Sequence, residues 1–182
     1  MSLKRIALFL SLAALVLLSA FGCQSDPNSP KRSTSEDDLI ARLSVELVGN
    51  PRTQAEKERN QIINYAIDSL LDVQSTPSGL YYYIEEPGTG NPPPRGGRVT
   101  AHYRGRMLDG KEFDSSYRRG QPLSFGLGQM IPAWQEGIPM LRPGGKATFL
   151  VPSALAYGTR GFPGLIDPNT PLRFDVELLT VN

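Results

Sequence analysis

A change in hydrophobic period near residue 79 limits what this 182-residue chain can fold into. Before it, apolar residues recur three and four positions apart, as in amphipathic helices; after it, they alternate with polar residues. The alternation is clearest in the last strand-like segment, where charged side chains separate Leu172, Phe174, Val176 and Leu178. A strand with one apolar and one polar face indicates an antiparallel sheet with one buried face.

Further strands are predicted from the same alternation and from the Gly- and Pro-rich segments between them. They cover residues 80–86, 98–108, 112–114, 122–125 and 146–151. A helix of at most about two turns fits residues 130–137. We therefore predict an α+β fold in which a curved antiparallel sheet packs against one short helix.

Trp134, the only tryptophan of the chain, lies in this short helix. A large aromatic side chain is often a core residue, and Trp134 would then hold the helix against the sheet. A Trp can also form the floor of a shallow apolar pocket that binds a ligand. Trp134 alone leaves both interpretations open, so the surrounding motifs have to decide between them.

The first 22 residues have the pattern of a secretory leader. Lys4 and Arg5 precede an apolar run at 6–18 that is too short for a stable membrane span. The only cysteine, Cys23, follows directly, and it is either a free thiol or a lipid attachment site. The segment AFGC at 20–23 resembles the bacterial lipobox, which implies that Cys23 is diacylated, that the chain is cleaved before it, and that its new amine is then acylated. We therefore predict a lipid anchor at Cys23.

A chain with this anchor would face an extracytoplasmic space. Gln24 after the cysteine is compatible with sorting to the outer membrane, so we expect a protein of the bacterial cell envelope that faces the periplasm. Removing the leader lowers the number of basic side chains from 19 to 17, against 18 acidic ones. That balance gives no indication of a nucleic-acid partner.

Residues 23–35 are polar, so they are predicted to be a flexible tether. A two-helix extension at 36–75 follows, with helices predicted at 36–48 and from Thr53 to about residue 73. Their apolar stripes could pack on each other, on a second copy of the chain or on the following domain. Because two short helices make a poor core alone, we expect them to pair with each other or with a partner, including a homodimer.

The following domain, residues 76–182, lacks the usual catalytic and metal-binding constellations. Its only histidine, His102, lies within a predicted strand without a cysteine or second histidine, and we interpret it as structural. Gly88 and Gly90 are not followed by the Lys and Ser or Thr of a phosphate-binding loop. We therefore expect no metal and no cofactor, and an enzyme of this sequence would need neither for its reaction.

Several motifs of residues 79–182 resemble, in order, the FK506-binding-protein (FKBP) type of peptidyl-prolyl cis-trans isomerase. They are VTAHYRG at 99–105, LDGKEFDSS at 108–116, LG at 127–128, WQEG at 134–137, GGKA at 144–147, AYG at 156–158, PG at 163–164 and FDVEL at 174–178. The resemblance implies a half-barrel sheet wrapped around the short helix, with a pocket between them, and an FKBP-type domain at 76–182.

The resemblance also implies two sets of site residues. The catalytic set is Tyr103, Phe113, Asp114, Trp134, Tyr157 and Phe174, and the substrate-binding set is Phe125, Met130, Ile131 and Ile166. In this family the Trp lies under the proline ring, while the Tyr157 hydroxyl and the Ile131 amide would fix peptide carbonyls. Asp114 would act electrostatically without transferring a proton, and it could also be a turn residue with Ser115 and Ser116.

These residue types suit the reaction that the family catalyses. An X-Pro bond resists rotation by about 18–20 kcal/mol because the amide is conjugated. Twisting leaves a less polar carbonyl, which a dry aromatic pocket tolerates better than water does. The resemblance implies a lipid-anchored isomerase of proline-containing exported polypeptides, with a pocket of the type that binds FK506-like macrolides. The alternative is a proline-binding chaperone or interaction module with little turnover.

The sequence departs from the family pattern in three places. Leu123 stands where many members have an aromatic residue, Phe162 stands where well-known members have His, and the connection from Gly128 to Trp134 is short. These changes leave the Trp, Tyr and Asp of the motifs in place. They therefore bear on peptide preference and macrolide affinity more than on the reaction.

Overall fold

Seven strands form one antiparallel sheet in the computed structural model, which describes residues 35–182. The strands are β1 (Gln74–Ser75), β2 (Tyr81–Glu86), β3 (Arg98–Met107), β4 (Glu112–Ser115), β5 (Leu123–Gly126), β6 (Lys146–Val151) and β7 (Leu172–Val181). The helices are α1 (Glu36–Ser44), α2 (Gln54–Asp68) and α3 (Pro132–Gly137). The strand order is β1-β2-β6-β7-β3-β4, and β5 pairs with β3. The predicted α+β fold with an N-terminal helical extension is confirmed, while the leader, Cys23 and residues 24–34 lie outside the described residues.

The long strand β3 organises the sheet around the site. Along one edge it pairs with β7 from Val99 to Met107. Its other edge is divided, because β5 pairs with its first half and β4 with its second half. The register shifts at Thr100/Ala101 against β7 and at Gly105/Arg106 against β4. Such irregularities bend a strand and increase its twist, which gives the sheet the curvature that the sequence predicted.

Helix α3 packs on the apolar face of this curved sheet. The four alternating residues of β7 that predicted this face are all buried. Gly137 at the end of α3 permits a close approach to β6, since a Cβ there would lie 2.7 Å from the ring of Phe149. The short helix and the sheet therefore share one core, with Trp134 between them.

Both helices of the extension end earlier than the sequence predicted. The α1 helix stops at Ser44 instead of residue 48, because the Asn60 side chain of α2 holds the Val48 backbone through bonds of 2.9 and 2.8 Å. The α2 helix stops at Asp68 instead of about residue 73. Leu70 adopts a positive φ of 50° there, and the amides of residues 70 and 71 donate back to the last turn, as in a Schellman motif.

The extension packs on itself and on the sheet. The second apolar cluster joins α1 and α2 to the β2–β6 edge of the sheet, and its buried members are Leu39, Leu43, Ile62, Ile63, Ala66, Val73, Tyr81 and Leu150. The apolar stripes are therefore covered within one chain, by each other and by the following domain. No helix among residues 35–182 has the length and apolar character needed to cross a membrane.

Candidate active site

A cluster of aromatic rings lies where α3 meets β3, β5 and β7. The Trp134 ring centroid is 4.9 Å from that of Tyr103, 5.2 Å from that of Phe125 and 5.4 Å from that of Phe174. Phe113 extends the cluster, with its ring edge-on to Phe174 at 5.7 Å. Five of the predicted site residues thus form one continuous aromatic surface.

Trp134 is nearly covered, with 2% of its surface exposed, and its indole N–H has no hydrogen-bond partner among residues 35–182. Leaving a buried donor unpaired costs about 1–3 kcal/mol. A ring retained only to fill the core would avoid this cost if it were Phe. Trp134 is therefore a core residue, and its unpaired donor leaves the pocket-floor interpretation open beside the structural one.

Gly105 of β3 allows two of the rings to come together. A Cβ at this position would lie 2.6 Å from the Phe113 ring and 3.0 Å from the Phe174 ring. Gly105 pairs with Asp114 on one side and with Phe174 on the other. The role of this glycine could not be read from its place at the end of the VTAHYRG motif, because both rings come from other strands.

Asp114 belongs to a polar network at the edge of the cluster. Its carboxylate accepts hydrogen bonds from the Tyr103 hydroxyl and from the guanidinium of Arg119. A second nitrogen of Arg119 donates to the Tyr103 hydroxyl at 2.8 Å, and the guanidinium lies 5.3 Å from the Tyr103 ring centroid. The side chains of Asp114 and Arg119 are each 38% exposed, so the network faces solvent.

Asp114 also has the local turn contact that the sequence left open. The Ser115 amide donates to its carboxylate at 2.8 Å. Ser116 instead bonds to β3, through the Tyr103 amide at 2.8 Å and His102 Nδ1 at 2.9 Å. His102 stacks on Tyr117 with the ring centroids 4.4 Å apart.

Arg119 was missed by sequence reasoning. The available signal was weak, because it is one of two adjacent arginines in the turn after Asp114. Only the folded turn brings Arg119, and not Arg118, onto the carboxylate and the phenol. Arg118 instead contacts Glu112 at 3.2 Å and the Phe113 carbonyl at 3.4 Å.

The two site tyrosines keep their protons at neutral pH. Burial raises the pKa of Tyr103 to about 12, and its hydrogen bond to Asp114 acts in the same direction. Burial also raises the pKa of Tyr157, with a further contribution from the negative charge of Asp114. Both hydroxyls therefore keep a hydrogen to donate; that of Tyr103 is used by Asp114, and that of Tyr157 can be offered to a ligand.

Tyr157 lies in the loop 152–171 between β6 and β7. It packs against the aromatic cluster, and its ring meets that of Phe162 edge-on at 5.9 Å. Phe162 and Ile166 exchange two backbone hydrogen bonds of 2.8 Å, which fold the loop back over the site. Phe162 is half exposed and Leu165 is 40% exposed, so apolar surface lies at the rim.

The structure brings the ten predicted site residues together. Six are buried in the core that α3 shares with the sheet, three pack against this core, and Asp114 joins through Tyr103. Among residues 35–182, no acceptor is found for the Ile131 amide or for the Tyr157 hydroxyl. The arrangement therefore offers an aromatic floor with two unpaired donors near its edge.

A separate groove of about 460 Å³ lies on the opposite face of the sheet. It is lined mainly by charged side chains that pair with one another, including Arg106 with Asp175 at 3.4 Å and Arg173 with Asp175 at 2.7 Å. This surface does not suit an apolar ring. No group of three or more His, Cys, Asp or Glu side chains that could hold a metal ion occurs in the described part of the chain.

The family model that matches residues 90–179 describes FKBP-type peptidyl-prolyl cis-trans isomerases. FkpA of Escherichia coli, an isomerase of this type by name, is 49% identical over 109 residues, which are 60% of this chain and 40% of FkpA. FK506-binding protein 1 of Candida glabrata is 52% identical over 99 residues, or 53% of this chain and 87% of that protein. The chain thus spans about two fifths of the length of FkpA.

Solved structures show a related fold. The crystal structure of E. coli FkpA gives a TM-score of 0.64 at 39% identity, covering 81% of this chain and 66% of that chain. A peptidyl-prolyl cis-trans isomerase of Pseudomonas syringae gives 0.63 at 34% identity, covering 74% of this chain and 99% of that chain. The second match extends over almost the whole of the Pseudomonas chain.

Proposed function

We propose that this chain, which belongs to the FKBP-type peptidyl-prolyl cis-trans isomerase family, accelerates rotation about X-Pro peptide bonds. One observation carries the proposal. An aromatic floor built on Trp134 lies beside two donors, the Ile131 amide and the Tyr157 hydroxyl, for which no acceptor is found among residues 35–182. A proline ring can bind on the aromatic floor, and the carbonyls that flank a twisting amide can accept hydrogen bonds from the two donors.

The aromatic cluster lowers the barrier by binding the twisted amide better than the planar one. The uncatalysed barrier is about 18–20 kcal/mol and comes from amide conjugation. The proline ring lies on Trp134 and is held by the rings around it, while Tyr157 and Ile131 hold neighbouring carbonyls. The rotated carbonyl is less polar than the planar one, so it loses less hydration free energy on leaving water. The dry surface therefore favours the rotated amide. No covalent bond is formed and no proton is transferred.

Asp114 contributes through its charge. Its carboxylate is fixed by Arg119 and by the Tyr103 hydroxyl, which places a negative charge at the edge of the aromatic floor. A fixed charge stabilises a rotating amide dipole without the reorganisation that a mobile group would require. Because the pair with Arg119 is partly exposed, salt screens part of this effect.

The test is cis-trans exchange of a short X-Pro peptide, measured by NMR with the protein from Gln24 onward. We expect acceleration that is reduced in Tyr157→Phe, which removes one unpaired donor. Tyr82→Phe is the matched control, because the Tyr82 ring also packs against the core while its hydroxyl already donates to the Gln74 side chain of β1 at 2.9 Å. No acceleration by the unmodified protein would exclude the isomerase proposal.

A second candidate function is a proline-binding chaperone or interaction module with little turnover. The exposed apolar side chains of the rim, Phe162 and Leu165, favour it because they offer apolar surface to a polypeptide beyond the proline. The same NMR experiment distinguishes the two candidates. Broadening of the peptide signals without faster exchange would support binding alone.

We propose that the protein works in the bacterial cell envelope on exported polypeptides, held by lipid at Cys23 and facing the periplasm at the outer membrane. The leader pattern and the residue after Cys23 support this placement. The aromatic cluster also has the character of a macrolide site, so we propose that an FK506-type ligand competes with the peptide. Competition in the exchange assay tests that ligand.

A homodimer through residues 36–75 would have to use surfaces other than the apolar stripes, which are covered within the chain. Val45 and Leu70, which are 83% and 51% exposed, are the large apolar side chains available on the extension. Molecular mass in solution, with Val45→Ser and Leu70→Ser as variants, tests this proposal. A monomeric unmodified protein would exclude it.

A further inference from the structure

Glu58 of α2 is a buried acid, with 2% of its surface exposed. Its carboxylate accepts three hydrogen bonds from neutral donors: the Ser153 amide at 2.7 Å, the Ser153 hydroxyl at 2.7 Å and the Gln54 amide at 2.9 Å. A carboxylate taken out of water needs such donors, because an unsatisfied one is strongly destabilising. Through Glu58, the helix α2 thus makes a buried polar contact with a single residue, Ser153.

That residue, Ser153, begins the loop that carries Tyr157. Its carbonyl accepts the amides of Ala156 at 2.9 Å and Gly158 at 2.7 Å, the residues on either side of Tyr157. Glu58 holds the amide and hydroxyl of the same serine. The backbone around Tyr157 is therefore tied to Ser153, and Ser153 is tied to α2.

The first turn of α2 also approaches the far end of this loop. Asn169 donates its amide to the Gly158 carbonyl at 2.9 Å, which joins the last part of the loop to the residue after Tyr157. The Gln54 side chain bridges Glu58 and the Asn169 carbonyl, the latter at a longer 3.5 Å. Both ends of the loop that folds over the site are thus in contact with the extension.

We propose that Glu58 is a positioning residue for the isomerase reaction, acting through Ser153 to hold Tyr157 at the edge of the aromatic floor. The inference rests on the proposed function. A hydroxyl that must meet a substrate carbonyl at hydrogen-bond distance loses effect when its backbone moves. The helical extension is therefore part of the support of the site, in addition to any role as a spacer.

The test uses Glu58→Gln in the protein from Gln24 onward. Glutamine keeps the shape of the side chain but has one acceptor oxygen, so a bond to Ser153 is lost or weakened. We expect hydrogen exchange at the Ala156 and Gly158 amides to become roughly three- to tenfold faster. Acceleration of X-Pro exchange should fall by a similar factor, while peptide affinity changes less.

Tyr65→Phe is the matched control. It removes a 2.8 Å hydrogen bond between α2 and Arg173 of β7, so it loosens the same helix at a place away from the loop. We expect this variant to leave hydrogen exchange at the Ala156 and Gly158 amides unchanged. If it has the same effect as Glu58→Gln, the effect is general loosening and the proposal is wrong.

Two further outcomes are decisive. Unchanged exchange at Ala156 and Gly158 in Glu58→Gln would overturn the proposal, whether or not the protein is an isomerase. If Glu58→Gln fails to fold, Ser153→Ala removes the hydroxyl bond alone, and it must raise amide exchange at both residues above the Tyr65→Phe level. An unmodified protein without isomerase activity would contradict the proposed function but not the positioning of the loop.

Discussion

Arg119 forms an ion pair with Asp114 at the edge of the aromatic cluster, and its second terminal nitrogen donates to the Tyr103 hydroxyl at 2.8 Å. One guanidinium therefore fixes both the carboxylate and the phenol, which are also bonded to each other. The planar guanidinium of an arginine suits this role, because it presents several hydrogen-bond donors in one plane. The network keeps a negative charge beside the aromatic floor without burying it.

Asp114→Ala should lower the acceleration of X-Pro exchange by about tenfold, the effect of one charge-assisted interaction in the transition state. The domain should stay folded, because the side chain is 38% exposed and its ion pair is of a kind worth about 0–1 kcal/mol. The NMR exchange assay measures the acceleration, and thermal unfolding measures whether the domain stays folded. A variant that unfolds outright would show that the turn contact with Ser115 is the main role of Asp114.

Arg119→Gln should lower the activity by up to about fivefold, less than the loss of the carboxylate, because the ion pair is partly solvated. Arg118→Gln is the control, since its side chain is 60% exposed and contacts Glu112 in place of Asp114. The same peptide assay at low and high salt measures both variants. Equal losses in the two variants would mean that net charge, and not the Asp114 network, sets the rate.

Six of the seven strands described in residues 35–182 were predictable because their signal is local, whereas the two-residue β1 was not predicted. The alternation of Leu172, Phe174 and Val176 fixes which face is buried, and a strand needs no distant partner to show it. Helix ends were harder to predict. Leu70 adopts the left-handed conformation usually taken by Gly. Because no Gly stands there, the sequence does not mark the end of α2.

Contacts between distant residues were not predictable at all. Glu58 and Ser153 are 95 positions apart, and neither residue is unusual in its own segment. Arg119 lies close to Asp114 in sequence, yet its neighbour Arg118 has the same chemistry and a different partner. The site residues came from the family motifs, whereas the polar contacts that hold them required the folded chain.

Gly105→Ala should reduce both stability and activity. The added Cβ would lie 2.6 Å from the Phe113 ring, so this ring and Phe174 have to move apart. Overpacking of this kind costs about 1–3 kcal/mol. Gly126→Ala is the control, because its Cβ would have 3.6 Å to the nearest atom, an ordinary contact. Chemical denaturation and the peptide assay check the pair, and equal stability of the two variants would contradict the close approach at Gly105.

The unfolding free energy should fall between about pH 10 and about pH 12 because of Tyr103. Its pKa is raised from 10.0 to about 12 in the folded protein, so at these pH values the folded state retains a proton that the unfolded state has lost. The stabilisation is complete below about pH 10 and is lost as the pH rises through about 12.

The unfolding free energy of Tyr103→Phe, measured by urea titration, should fall less steeply over this pH range than that of the unmodified protein. Tyr117, whose pKa burial also raises to about 12, gives a second variant for comparison. A curve for Tyr103→Phe parallel to that of the unmodified protein would contradict the shift.

Cys23→Ser should release the full chain from membranes. The apolar run before Cys23 is short and would be removed with the leader, so the proposed anchor would depend on the acyl chains, and several chains bind firmly where one binds marginally. Fractionation and incorporation of labelled palmitate measure the effect, with Ser25→Ala as a control in the same polar segment. We expect the unmodified protein and the control in the membrane fraction with label, and Cys23→Ser in the soluble fraction without it. A Cys23→Ser protein that stays with the membrane would show that another part of the chain holds it there, and the lipid anchor would have to be abandoned.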